Sequence, residues 1–348
     1  MRLLVLALAL VAVPARPQTA HLAGRVTDAR TGEALPGANV FLSGTVRGSA
    51  TDADGAFAFT TDVLGDVEVV ASLLGYDART APLSLAPGDT LRLSLSLVPS
   101  TSVLGEARVE GRVSREWRSA LALFEDLFFG DSPNGRRARL ETPEVLDFDR
   151  DGDRLSATTR APLVVYNEAL GYRMTLLNLR FRSDDDGWGW KSPLRYEDLP
   201  TATSEAVQSR REETYRGSLR HFLAALVVGR THEEGFRVRH ARSPGFRARG
   251  APMTPEGLQA LVTPDTSRAG WQVTTATPLQ VHYVREHDPR PGVREREQIS
   301  WITLDALSVR VDGRGRTLDG RPVTRYGYWD WERAADLLPD DYAPQPSL

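Results

Sequence analysis

From His21 to Val98 apolar and polar residues alternate in short runs separated by turn formers. "HLAGRVT" (21–27), "ANVFL" (38–42), "AFAFT" (56–60), "VEVVASLLGY" (67–76), "ARTAPLSL" (78–85) and "DTLRLSLSLV" (89–98) each carry apolar residues near period two. The last has leucine at 91, 93, 95 and 97. With "SGTVRGS" (43–49) they predict seven short strands, apolar on one face, closing into an antiparallel sandwich. Past residue 113 the period changes. "SREWRSALALFEDLFFG" (114–130) places Trp117, Leu121, Phe124, Leu127 and Phe128 on one helical face, with Ser114 able to cap and Gly130 to stop. "TSEAVQSRREETYRGSLRHFLAALVVG" (203–229) predicts a second long helix, with Tyr215, Leu219, Phe222 and Leu226 as its core stripe. Between and after these lie strand-like runs such as "PLVVYNEALGYRMTLLNLRF", "GFRVRHA", "LQVHYV" and "EQISWITL", and "WERAADLLP" predicts a short terminal helix. The expected fold is mainly β: a seven-stranded sandwich, then an α+β domain with an antiparallel sheet and two long helices. The expected boundaries are a signal peptide at 1–20, the sandwich at 21–99, a linker at 100–112 and the α+β domain at 113–348. The segment 242–266, rich in Pro, Gly and Arg, reads as a loop or insertion.

Two acidic stretches raise the question of calcium. An EF-type loop needs oxygens at positions 1, 3 and 5, Gly at 6 and Glu at 12. Counted from Asp52, "DADG" has its Gly at position 4 and Val63 at position 12. In "DFDRDGDRLSAT" the residues Asp147, Asp149, Asp151 and Gly152 fit, but position 12 is Thr158 and the flanks read as strands. Both read as turns, because Asp and Gly there bond locally and tolerate positive φ.

The register of Gly24, Asp28, Thr31-Gly32, Pro36-Gly37-Ala38, Gly44-Thr45, Thr51-Asp52, Asp54-Gly55, Phe57 and Gly75-Tyr76 resembles the carboxypeptidase regulatory-like domain family. The resemblance covers about Leu22 to Pro99. It implies a transthyretin-like sandwich, related to starch-binding-type folds, found early in exported Bacteroidota-type proteins. It implies no peptidase activity, since the module is an accessory of carboxypeptidases. The second half resembles, through "PEVLDF", "PLVVYNEALGY", "YRGSLRHFLAAL" and "ADLLPDDYAP", an uncharacterised region that follows this module in such proteins.

Composition narrows the function. A net charge of −3, with Lys191 the only lysine, argues against nucleic-acid binding. The absence of cysteine removes disulfides, thiolate metal sites and thiol nucleophiles. None of the six histidines starts an H-x-x-E or H-E-x-x-H pattern, so no metal or other cofactor is expected. Arg2 followed by "LLVLALALVAV" and the small residues of "VPARPQTA" reads as a secretory signal peptide, cleaved after Ala15 or Ala20. No later run is long enough to span a bilayer, which places the expected protein in the periplasm or at the cell surface.

Candidate binding residues are few. Arg220 and His221 sit together on the second helix and read either as an anion or acid/base pair, with Glu168 as a nearby carboxylate, or as structural polar groups; the structural reading is preferred. Trp188 with Trp190, Tyr326 with Tyr328, and Trp329 with Trp331 are i, i+2 pairs that on a strand would share a face, either as a sugar platform or, preferably, as core. The expected role is a non-catalytic binding or structural one in the envelope, toward an envelope protein or glycan, with the sandwich as a docking or spacer module and the second domain carrying the specific contact. The alternatives are a carbohydrate-binding protein using the paired aromatics, a hydrolase around Arg220 and His221, and a calcium-dependent adhesin.

Overall fold

The computed structural model describes residues 19–100, 114–185, 187–248, 250–266, 270–290, 292–293, 296–304, 306–318 and 323–344. The signal-peptide reading of residues 1–18 and most of the linker lie outside them.

The first seven strands form a sandwich as the alternation predicted. One sheet holds β4 (Ala56–Thr61), β1 (Ala20–Asp28) and β7 (Thr90–Leu97); the other holds β3 (Gly48–Ala50), β2 (Asn39–Leu42), β5 (Gly65–Ser72) and β6 (Arg79–Leu85). Pairing is antiparallel except between β1 and β7. Leu22, Val26, Val40, Leu42, Phe57, Val69, Leu85, Leu95 and Leu97 fill the space between the sheets. The "DADG" stretch (52–55) is a turn, and it carries the chain from β3 in one sheet to β4 in the other. Asp52 Oδ1 accepts the N–H groups of Asp54 (2.9 Å) and Ala56 (2.8 Å), and Gly55 takes φ +72°. That carboxylate organises backbone, as an Asx turn does.

The chain from Ser114 builds two further cores. Helix α1 (Arg115–Phe129), capped by the Ser114 side chain, packs on two four-stranded antiparallel sheets. Their strand orders are β14 (Gly187–Lys191), β13 (Arg180–Asp184), β10 (Arg154–Thr159), β9 (Leu146–Asp151), and β15 (Leu194–Asp198), β12 (Tyr172–Leu176), β11 (Leu163–Asn167), β8 (Ala138–Leu140). Phe124 and Phe128 lie at the centre, stacked at 5.0 Å. The second acidic stretch is the β9–β10 hairpin turn, with Gly152 at φ +60°.

The segment read as one long helix is two: α2 (Glu205–Tyr215) and α3 (Leu219–Val227). Arg216 is extended and Gly217 adopts φ +71°, so the chain turns and Ser218 caps a new helix. Helix α3 buries Phe222, Leu223 and Leu226 in a third core. That core lies between a sheet of β16 (Phe236–His240), β19 (Leu279–Tyr283), β20 (Gln298–Leu304) and β22 (Val323–Gly327), and a smaller one of β17 (Val262–Pro264), β18 (Trp271–Thr274) and β21 (Ser308–Val311). Short α4 (Pro255–Gln259) and α5 (Tyr328–Trp331) complete it. The antiparallel pairing expected for this half is thus spread over four sheets. No helix among the described residues is long and apolar enough to cross a membrane.

Candidate functional site

Arg220 and His221 are neighbours on α3, but the helix turns them toward different surroundings. His221 points back at the break. Its Nδ1 accepts the Gly217 N–H at 3.1 Å, which leaves the proton on Nε2, and Nε2 lies 3.4 Å from Glu234 Oε2. The rings of Tyr215 (5.1 Å), Phe236 (4.9 Å) and Tyr283 (5.9 Å) enclose the imidazole, which is 7% exposed. Burial pushes its pKa below the ordinary value, against the opposing pull of Glu234. In this arrangement the ring is neutral and both nitrogens are engaged. The surrounding cleft, of about 670 Å³, is lined by Glu212, Arg216, Arg230, Glu234, Arg285 and Glu286 among others. Its charges are largely matched in pairs: Arg216 with Glu212 (3.2 Å) and Arg230 with Glu234 (3.1 Å).

Arg220 faces away from that cleft. Its guanidinium donates to four main-chain carbonyls: Arg314 (3.2 Å), Pro339 (2.6 Å), Asp340 (2.8 Å) and Tyr342 (2.7 Å). One planar fork therefore grips the strap 339–342 and the turn 312–316 together. Glu168 does not join either residue. It sits beyond β11, beside Arg139 at 3.6 Å, with both side chains largely in solvent.

The strap continues into the sandwich. Asp340 N–H donates to Gly44 O (2.8 Å), Asp341 accepts from Val46 N–H (3.2 Å), and Arg47 pairs with Asp341 at 2.9 Å. Around it runs a belt of Arg–Asp pairs: Arg314 with Asp62 (2.7 Å), and Arg310 with both Asp66 (2.6 Å) and Asp265 (2.9 Å). Arg316 bonds Leu64 O at 2.6 Å. Gly44 N–H reaches Leu194 O, Tyr196 N–H reaches Thr45 O, and Arg195 donates to Asn39 (2.8 Å). Phe41, Val70 and Leu177 close a small apolar patch between the two parts. Sequence reasoning gave the charged members of this belt no role. Each reads as ordinary surface charge, and every side-chain pair that joins the sandwich to the rest links positions more than a hundred apart.

The aromatic pairs divide. Trp188 and Trp190 share a face of β14 and pack against the α1 core: Trp190 meets Phe128 edge-on at 5.5 Å, and the Arg333 guanidinium covers Trp188 at 4.0 Å. The other pairing was read on a strand, whereas Tyr328, Trp329 and Trp331 lie in α5, where an i, i+2 step rotates side chains apart. Trp329 is buried, donating from Nε1 to Gly217 O (2.6 Å); Trp331 instead reaches Asp131. Tyr326 remains on β22, exposed.

Residues 21–98 match the profile of the carboxypeptidase regulatory-like domain family. No curated protein matches the chain. Among solved structures it is similar to a type II cohesin–X-dockerin complex from Acetivibrio cellulolyticus, at 22% identity and a TM-score of 0.19, covering 23% of this chain and 55% of that one. This chain therefore spans only about half of that relative. It is also similar to a putative carbohydrate binding protein from Bacteroides uniformis (9% identity, TM-score 0.20, 53% of this chain and 100% of that one). A third likeness is to a DUF3823 family protein from Bacteroides uniformis (10% identity, TM-score 0.18, 84% and 99%).

Proposed function

We propose that this chain is an exported protein of the bacterial cell envelope with a non-catalytic binding or structural role, its N-terminal sandwich acting as a fixed docking module. The observation that carries this reading is the belt joining the sandwich loops 43–47 and 62–66 to β15, the turn 312–316 and the strap 339–342. A module held by backbone bonds, charge pairs and apolar contact at once is built into the body rather than tethered to it. The engagement of Arg220 and His221 inside the fold supports a structural role for both over a hydrolytic one. A general base needs a lone pair free to face a substrate.

The sequence pattern at Arg2–Ala15 supports export. Ala20 belongs to β1, is 1% exposed and pairs with Thr61, so removal of the leader after Ala15 leaves that strand whole. Intact-mass analysis of the exported protein should then give a chain beginning at Arg16; a chain beginning at His21 contradicts this. The role itself is tested by immobilising the full mature chain and passing detergent-solubilised envelope over it, beside a column carrying the chain with Arg47, Arg310 and Arg314 changed to Ala. Selective retention of envelope components by the intact chain is the expected result. Equal retention on both columns removes the docking role.

The second reading, glycan binding, has its own support in the aromatic side chains on the outer face of the β16–β19–β20–β22 sheet.

A further inference from the structure

The sheet that covers α3 has a second face. Phe236, Val238, Leu279, Val281 and Ile302 point into the core, so their neighbours along each strand point out. The register aligns four outward residues in one row across the sheet: Arg239 opposite Gln280, Gln280 opposite Trp301, and Trp301 opposite Tyr326.

Trp301 belongs to none of the apolar cores. A Cβ on Gly327 would stand 3.0–3.1 Å from its six-membered ring, so the indole lies down over a residue with no side chain. Its Nε1–H is held by Phe246 O at 3.2 Å. Tyr326 stands beside it, 37% exposed, and Phe246 borders them, 71% exposed. The polar half of the row is oriented too. Gln280 Oε1 accepts the Ala248 N–H at 3.1 Å and Arg239 Nε–H donates to Gly250 O at 3.2 Å. The Gln280 side chain is fully buried beneath residues 246–248, and its amide nitrogen has no hydrogen-bond partner among the described residues. The row flanking Trp301 and Tyr326 is Thr303 opposite Thr324.

We propose that this face is a glycan-binding site in which Trp301 and Tyr326 stack on the C–H faces of sugar rings and Thr303 and Thr324, beside them on the same face, bond hydroxyls. The proposal rests on the glycan-binding reading above and moves it from the tryptophan pairs to this sheet. The composition favours a sugar over other occupants. A protein partner's anchors sit fully desolvated at the centre of a broad patch, whereas Trp301 and Tyr326 form a narrow strip between Phe246 and the threonines 303 and 324. A polyanion calls for a basic field, which a single row arginine on a chain of net charge −3 does not supply.

The test is isothermal titration calorimetry of the full chain against cellohexaose, xylohexaose, maltohexaose and mannohexaose, with a ten-nucleotide oligo(dT) in parallel. At least one hexaose should bind, and Tyr326→Ala should weaken it tenfold or more while the far-UV circular dichroism stays unchanged. Trp301→Ala should abolish binding. Should Trp301→Ala fail to fold, Tyr326→Ala, at an exposed position, still decides the question. Binding of a hexaose unaltered by Tyr326→Ala overturns this face while leaving the glycan reading in place. No hexaose bound, or oligo(dT) bound in its stead, overturns the proposal, and the envelope-retention result for the docking role stands apart from either outcome.

Discussion

At the residue scale, the polar groups that stood out in the sequence have been turned inward. Arg220 and His221 were legible as unusual because they interrupt an apolar helix. Their roles were not, because the Gly217 N–H, Glu234 and the carbonyls of 314 and 339–342 are set by tertiary folding. The pH behaviour of the fold lies with a residue the sequence did not mark. Glu332 lines a cleft with Asp336, Asp340, Arg316 and Arg325, and burial together with the nearby Asp336 pushes its pKa up to about 8. A carboxyl raised above its unfolded value favours the fold while it is protonated, and that contribution is lost as pH rises through the folded pKa. Each pKa unit of separation is worth about 1.4 kcal/mol, reduced here because the side chain is only half-buried. Glu332→Gln should therefore match the wild-type melting temperature near pH 4.5 and exceed it by about 5 °C at pH 9. Equal melting temperatures at pH 9 would contradict the assignment. His221 acts in the opposite sense. Its lowered pKa means that acidification below about pH 6.5 costs stability, as the unfolded chain takes up the proton first.

At the scale of elements, strands were readable where one face is wet, and their alternation gave β1, β4 and β7 almost to the residue. Helix α1 was readable from its stripe, its Ser114 cap and its Gly130 stop. The α2–α3 break was not, because the apolar spacing of Tyr215, Leu219, Phe222 and Leu226 runs through it without a phase change. The signal present was Gly217 itself, inside a run of good helix formers. Its conformation is required, since φ is +71° and a Cβ would meet Gln298 Oε1 at 2.5 Å and the Tyr283 ring at 2.6 Å. Gly217→Ala should cost about 3 kcal/mol, combining backbone strain with overpacking. Urea unfolding should show a lower midpoint with an unchanged slope. A cost below about 0.5 kcal/mol would mean the break is not imposed by this glycine. Trp329 and Trp331, unlike Trp188 and Trp190, failed as a strand signal for a related reason. A four-residue helix is too short to show a period, so Trp329 and Trp331 read equally well either way.

At the scale of the molecule, three apolar cores are joined through polar seams. One seam joins the sandwich to the rest through the strap 339–342, and no local pattern announces it: aspartates and arginines on loops look like solvated surface until their partners arrive. Burial works against Asp340 and Asp341, whose pKa values are raised despite Arg316, Arg220 and Arg47. At these two residues the strap holds through geometry and backbone bonding more than through charge attraction, whereas at Asp62 burial is outweighed by the pull of Arg314 and Arg47, which lowers the pKa. Arg220 anchors the strap from the side away from the sandwich, because one side chain satisfies four carbonyls and lysine cannot reproduce the planar fork. Differential scanning calorimetry of the full chain and of Arg220→Ala tests the built-in module most directly. The intact protein should unfold in one cooperative transition. Arg220→Ala should separate it into two, the lower at least several degrees below the wild-type transition. A single, unshifted transition in the variant, or two transitions already in the wild type, would contradict a sandwich locked into the body.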